Sequence, residues 1–222
     1  MFCVIIHGNA GNNRKNSKCV TGYAAFRGGS GAMNKVWGHF RTITHHKRLV
    51  MQGCFRVGLY WQGLTHDLSK FAPSEFCVGV RYWTGKRSPN AGERQEKGFS
   101  TAWMHHKGRN RHHWEYWTDL SMETKRYESC PMPRKYLVEM VMDRRAACMT
   151  YQGDAYTDAS AWEYYARSRE RNAMHPELQR QLEHLLLMLR DQGEEKTFRY
   201  IKNVVLQNKP FPWEQEDKNE KT

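Results

Sequence analysis

The chain is poor in long apolar stretches, and no run approaches the roughly 20 residues needed to span a bilayer. Residues 2–6 (Phe-Cys-Val-Ile-Ile) are too short for a signal-peptide core, and His7 and Gly8 follow at once. The expectation is a soluble, cytoplasmic protein with no membrane partner. No C-x-x-C pair occurs among the six cysteines at positions 3, 19, 54, 77, 130 and 148. That excludes a zinc ribbon and a small disulfide scaffold and favours reduced thiols, with Cys54 and Cys148 at apolar helical positions suited to core packing. There is no internal repeat and no alternating strand pattern of useful length. Acidic residues are absent from positions 1–32, which carry four basic residues, much Gly, Asn and Ser, and no periodicity. This segment reads as an unstructured basic N-terminal extension or a tag remnant.

What remains is helical. The patterned segment opens at Met33 and runs to about residue 64, with Val36, Phe40, Ile43, Lys47 and Val50 on one face and a break at Gly58 or Gly63. Pro73 marks a turn or a helix start. Residues 84–98 form a polar loop with room for a short helix. A helix over 99–106 ends at Gly108, and residues 109–117 are aromatic and basic. A strong helix spans 134–149, and Ser160-Ala-Trp-Glu163 resembles a capping box. Pro176 opens a helix whose Leu178, Leu182, Leu185, Leu186 and Leu189 form a stripe up to Gly193. The stripe suits core packing, with a homodimer seam as the other use. A last helix covers about 194–207. The expected organisation is a single all-α domain over 33–208, followed by a flexible charged tail at 209–222.

The histidines carry the chemical signal. Of eleven, seven sit in four groups: His45-His46, His66-Asp67, His105-His106 and His112-His113. Imidazole and carboxylate bind Zn, Mn, Fe or Ni through nitrogen and oxygen. His46, Val50 and Cys54 fall on one helix face, so His46 points inward. Asp143 lies in an apolar helix, either as a ligand or as a core residue paired with Arg144 or Arg145. His112 and His113 read as supporting or surface residues. The net charge of +12 favours anionic partners such as phosphate esters, nucleotides or nucleic acid.

His46, then Leu-Thr-His66-Asp67-Leu-Ser-Lys70, then Asp143 resembles the HD superfamily of metal-dependent phosphohydrolases, whose domains are all-helical. Trp-Met-His105-His106-Lys-Gly-Arg is similar to the His-His-Glu segment of the members that carry two metals. The block His-His-Lys … His-Asp-Leu-Ser-Lys-Phe … His-His-Lys-Gly-Arg-Asn also resembles a family of uncharacterised bacterial proteins, over most of residues 34–150. The chain departs from the HD pattern in the short interval between His46 and His66, in Ser69 where Gly is usual, and in Lys107 where Glu is usual.

The resemblance implies an HD-like helical bundle holding one or two divalent transition metals. His46, His66, Asp67 and Asp143 would hold the first, and Asp67 would bridge to a second held partly by His105 and His106. It implies a hydrolase that attacks a phosphate ester or nucleotide with metal-activated water. Asp67 and Lys70 would act at the reacting centre, and Arg87, Lys107 and Arg109 would bind substrate phosphate. The rival is a non-catalytic basic helical module that binds nucleic acid and keeps its histidines for structure.

Overall fold

A computed structural model describes residues 30–219. The expectation for the N-terminal extension falls almost wholly outside the described residues. The fold is all-α: nine α-helices among the described residues, joined by short 3-10 turns and one small hairpin. The helices are α1 (Ser30–Val57), α2 (Tyr60–Thr65), α3 (Pro73–Tyr82), α4 (Pro89–Lys97), α5 (Thr101–Lys107), α6 (Arg134–Gln152), α7 (Ser160–Ala166), α8 (Pro176–Tyr200) and α9 (Pro212–Asn219).

Helix α6 is the axis of the domain. All twelve of its residues from Leu137 to Cys148 are buried, so over this span it has no solvent-exposed face. Helix α1 packs along it. The inward face of α1 is His39, Ile43, His46, Val50, Cys54 and Val57, spaced by three and four residues. Phe40, expected on that face, is 38% exposed, because the stripe through Ile43 and Val50 takes in His39 and His46 where Phe40 and Lys47 were expected. The two helices come close at Gly53, where a Cβ would lie 2.8 Å from Met142 Sδ. The break after α1 falls at Gly58, whose φ of +89° suits glycine alone.

The Leu stripe of α8 is fully in this chain's core, together with Val138, Val141, Tyr165 and Ile201. Helix α8 kinks at Gly193 (φ 75°, ψ 175°), where the sequence predicts one helix to end and the next to begin. A π-helical turn follows at Ile201–Val205.

Three local features differ from expectation. Ser160 does not cap α7 as a box; its hydroxyl instead accepts from Thr157 N–H at 3.0 Å. Residues 118–120 and 127–129 form an antiparallel hairpin, β1 (Thr118–Leu120) and β2 (Tyr127–Ser129), with Asp119 opposite Glu128. Its strands are too short and too exposed to show alternation. The expected loose tail is anchored: Phe211 is fully buried and stacks on Trp213 at 4.8 Å, and Glu214 pairs with Arg134. Two aromatic residues hold what the surrounding charges suggested was solvated.

Four described cysteines, Cys54, Cys77, Cys130 and Cys148, are free thiols; Cys54 and Cys148 are buried in the core. No helix among the described residues is long and apolar enough to cross a membrane.

Candidate metal centre

The His-Asp dipeptide sits where α2 ends. His66 is extended (φ −49°, ψ 126°) and Asp67 is left-handed (φ 54°, ψ 27°) before a 3-10 turn over Leu68–Phe71. This break turns both side chains inward, which a continuing helix with 100° between neighbours would not do. Non-glycine residues in this conformation are uncommon, and such strain concentrates at functional sites. Lys47 of α1 stabilises the break by donating to the carbonyls of Leu64 (2.7 Å) and His66 (2.8 Å).

Two groups of buried ligand-type side chains meet at Asp67. The first is His46, His66, Asp67 and Asp143; the second is Asp67, His106, His112 and His113; within each group the ligand atoms lie within 4.8 Å of one another. His46 Nε2 is 3.0 Å from Asp143 Oδ1, and His66 Nε2 is 3.2 Å from Asp67 Oδ2. On the other side, His106 Nε2 and His112 Nε2 face Asp67 Oδ1 at 3.2 and 3.4 Å. Yet among the described residues Nε2 of His46, His66, His112 and His113 is buried without a hydrogen-bond partner of normal geometry, as are both Asp67 oxygens apart from the Lys70 ion pair at Oδ2. Buried polar atoms are nearly always satisfied. A convergent set that is not satisfied is what a cation-binding shell looks like, and these groups could hold a metal ion.

The far side of the rings supports the same reading. His66 and His112 direct Nδ1 at one oxygen of Glu139, at 3.0 and 3.1 Å. His106 directs Nδ1 at Glu75 Oε2, at 2.8 Å. A carboxylate on Nδ1 fixes the tautomer and leaves Nε2 with its lone pair toward the centre, the arrangement found behind metal-ligating histidines. A third triplet, His66, His112 and Glu139, has compatible spacing, but there Glu139 already serves both Nδ1 atoms.

Burial and charge oppose each other throughout. Burial, then Lys70, lower the His46 pKa. For His66, burial works against the charged ring, but Asp67, Asp143 and Glu139 together raise the pKa well above the ordinary value. Burial resists the Asp67 carboxylate too, but His66, Lys70 and His106 hold its pKa well below the usual range. Lys70 Nζ lies 2.5 Å from Asp67 Oδ2; burial opposes its charge, and Asp67 and Asp143 raise its pKa.

The structure therefore brings together His46, His66, Asp67, Lys70, His106 and Asp143. Asp143 faces the histidines rather than its neighbours in sequence: Arg145 pairs with Glu194, and Arg144 lies over Tyr165. His105 is not brought in. It is turned to Glu75 Oε1 at 2.6 Å and is partly exposed, because adjacent residues of α5 cannot share a face. Its place is taken by His112 and His113, read from sequence as supporting or surface residues. They enter because the chain turns back after Gly108 through Asn110, which donates to His106 O at 2.8 Å. That turn has no periodicity to reveal it. Glu139 was also missed, although it lies four residues before Asp143 on one helix face.

A cavity opens beside the centre, with about 850 Å³ of empty space counting its mouth. Its walls include His46, His106, His113, Asp143 and Lys70, together with His39, Arg94, Trp103 and Tyr151. The three expected phosphate contacts are not on it. Arg87 is bonded to Gln95 in a separate surface groove, Arg109 donates to the carbonyl of His105, and Lys107 does not reach the wall.

Fold and site define an all-α protein with a buried His/carboxylate cluster able to hold metal. The chain belongs to the family described as "Family of unknown function (DUF5662)", which it matches over residues 35–188. That span contains every residue of the cluster. No curated protein and no solved structure matches the chain.

Proposed function

We propose that this protein is a metal-dependent phosphohydrolase of HD type, acting on a phosphate ester or nucleotide, with two transition-metal ions (Mn, Fe, Zn or Ni) that share Asp67. The observation that carries the reading is the pair of unsatisfied ligand groups that meet at Asp67, with His46, Asp143, His106 and His113 of those groups lining an open cavity. A structural metal site is closed; a catalytic one keeps a position accessible to water and substrate.

His46, His66, Asp67 and Asp143 would hold one ion, and Asp67, His106, His112 and His113 the other. Such ions, when bound, lower the pKa of water and offset charge on phosphoryl oxygens. The residues of the chain do the rest. Glu139 and Glu75 hold three rings with Nε2 directed inward. Lys70, kept cationic by Asp67, presents its ammonium at the cavity wall, where it would neutralise a phosphoryl oxygen. Arg94 adds positive charge in the same wall. The +12 net charge suits an anionic substrate.

The test is to load metal-free protein with Mn, Fe(II), Zn or Ni in turn and assay p-nitrophenyl phosphate and a nucleotide panel. The reading predicts turnover with at least one metal, lost in the chelated protein and in Asp67→Ala. Metal-loaded protein that hydrolyses no phosphate ester would overturn it. The nucleic-acid module would then gain weight if DNA or RNA affinity fell steeply with salt.

A further inference from the structure

His39 is the buried polar group in the cavity wall that the metal centre does not use. It is 6% exposed, its Nδ1 has no hydrogen-bond partner among the described residues, and its ring lies 5.2 Å from that of Phe76. Leaving such an atom unsatisfied is costly, and a group that reaches the cavity wall can recover the cost from a ligand. Room for the ring is made by Gly79 of α3: a Cβ there would lie 2.2 Å from His39 Nε2. Any other residue at position 79 would push the imidazole out of its place.

His39 lies seven residues, two helical turns, before His46 on the same face of α1. At 1.5 Å per residue their Cα atoms are about 10 Å apart. A molecule whose phosphoryl group sits at the ligand cluster would reach His39 through a body that extends beyond the phosphate. The same wall has apolar and aromatic surface from Ile43, Trp103, Ala147 and Tyr151, and Asn90 adds an amide. Burial, then Lys70, push the His39 pKa down to about 4, so at neutral pH one ring nitrogen donates and the other accepts.

We propose that His39 is a specificity-determining residue that hydrogen-bonds the far end of the substrate, and that the substrate is a phosphate monoester with a flat ring body bearing a polar edge, rather than a small polyol phosphate. The inference rests on the phosphohydrolase reading. A site built to bond a polar edge rejects analogues that lack it, because its own buried group is then left unpaired.

The experiment compares the four nucleoside 5′-monophosphates with glycerol 2-phosphate, on metal-loaded wild type, His39→Leu and His39→Asn, with metal content measured for each. The wild type should favour at least one nucleoside monophosphate by tenfold or more in kcat/KM. His39→Leu should keep its metal, lose about tenfold on that substrate mainly through KM, and change less than twofold on glycerol 2-phosphate. His39→Asn, which keeps a donor and an acceptor, should recover part of the loss. Equal losses on both substrates in both variants, or a wild type with no preference, would overturn the inference while leaving the hydrolase reading standing. A wild type that holds metal but hydrolyses none of these esters, or holds none, would overturn both.

Discussion

Glu139 Oε1 lies 3.0 Å from Nδ1 of His66, on the edge of the ring away from the ligand-type cluster. The same oxygen is 3.1 Å from Nδ1 of His112. One carboxylate on the central helix thus orients a histidine from each of the two ligand groups. Loss of such a partner typically weakens metal binding by about 10–100-fold. Glu139→Gln, which keeps the volume, should show a loss of that order in competition with a chelator, with an unchanged circular dichroism spectrum. Affinity equal to wild type would show that the pairing does not hold the rings.

The two ligand groups make separable predictions. His112→Ala and Asp143→Ala should each remove one ion and leave the other. His105→Ala should leave both in place, since His105 is engaged with Glu75 outside the cluster. Elemental mass spectrometry of the three variants checks this directly. A loss in His105→Ala equal to that in His112→Ala would return His105 to the centre.

A buried carboxylate away from the centre gives a pH prediction. Glu93 accepts from Ser100 Oγ and Thr101 Oγ1 at 2.7 Å, from Ala102 N–H at 3.3 Å and from Lys97 Nζ at 3.0 Å, tying α4 to the start of α5. Burial opposes its ionisation, but the donors from Thr101, Ser100 and Lys97 hold its pKa down from 4.5 to about 2. The unfolded chain therefore binds more protons than the folded one in this window. The stabilisation is fully present above 4.5 and is lost as pH falls toward 2. Thermal melts of metal-free protein should fall through this range, and Glu93→Gln should show a shallower acid slope from a lower starting Tm. Parallel slopes for the two proteins would contradict the assignment.

The C-terminal segment is part of the folded unit. Phe211 is fully buried, under the Arg134 guanidinium at 4.8 Å. Phe211→Ala should cost about 3–5 kcal/mol, as buried aromatic truncations do. Denaturant unfolding measures it; a change below about 1 kcal/mol would mean the segment is dispensable.

Much of this arrangement was legible in the sequence. Helices show through three- and four-residue apolar spacing, so α1, α6 and the Leu stripe of α8 could be read, and so could the kink at Gly193. His46 and Asp143 could be placed because each lies on the inward face of a long helix. The choice between His105 and His106 could not, because both lie near a helix end and both bond Glu75 of α3; only the reach of His106 Nε2 to Asp67 separates them. His112 and His113 enter through a turn with no period, and the tail is held by two aromatics among charges. Glu139 left a signal, a carboxylate four residues from Asp143, that composition alone did not single out.

The central claim is that Asp67 joins two metal positions. Elemental mass spectrometry on untagged wild type, reconstituted with Mn, Fe(II), Zn or Ni and desalted, tests it most directly when run beside Asp67→Ala. The account predicts close to two ions per chain in the wild type with at least one of these metals and almost none in the variant, both proteins remaining helical by circular dichroism. A wild type that takes up no metal, or a variant that holds as much as the wild type, would contradict it.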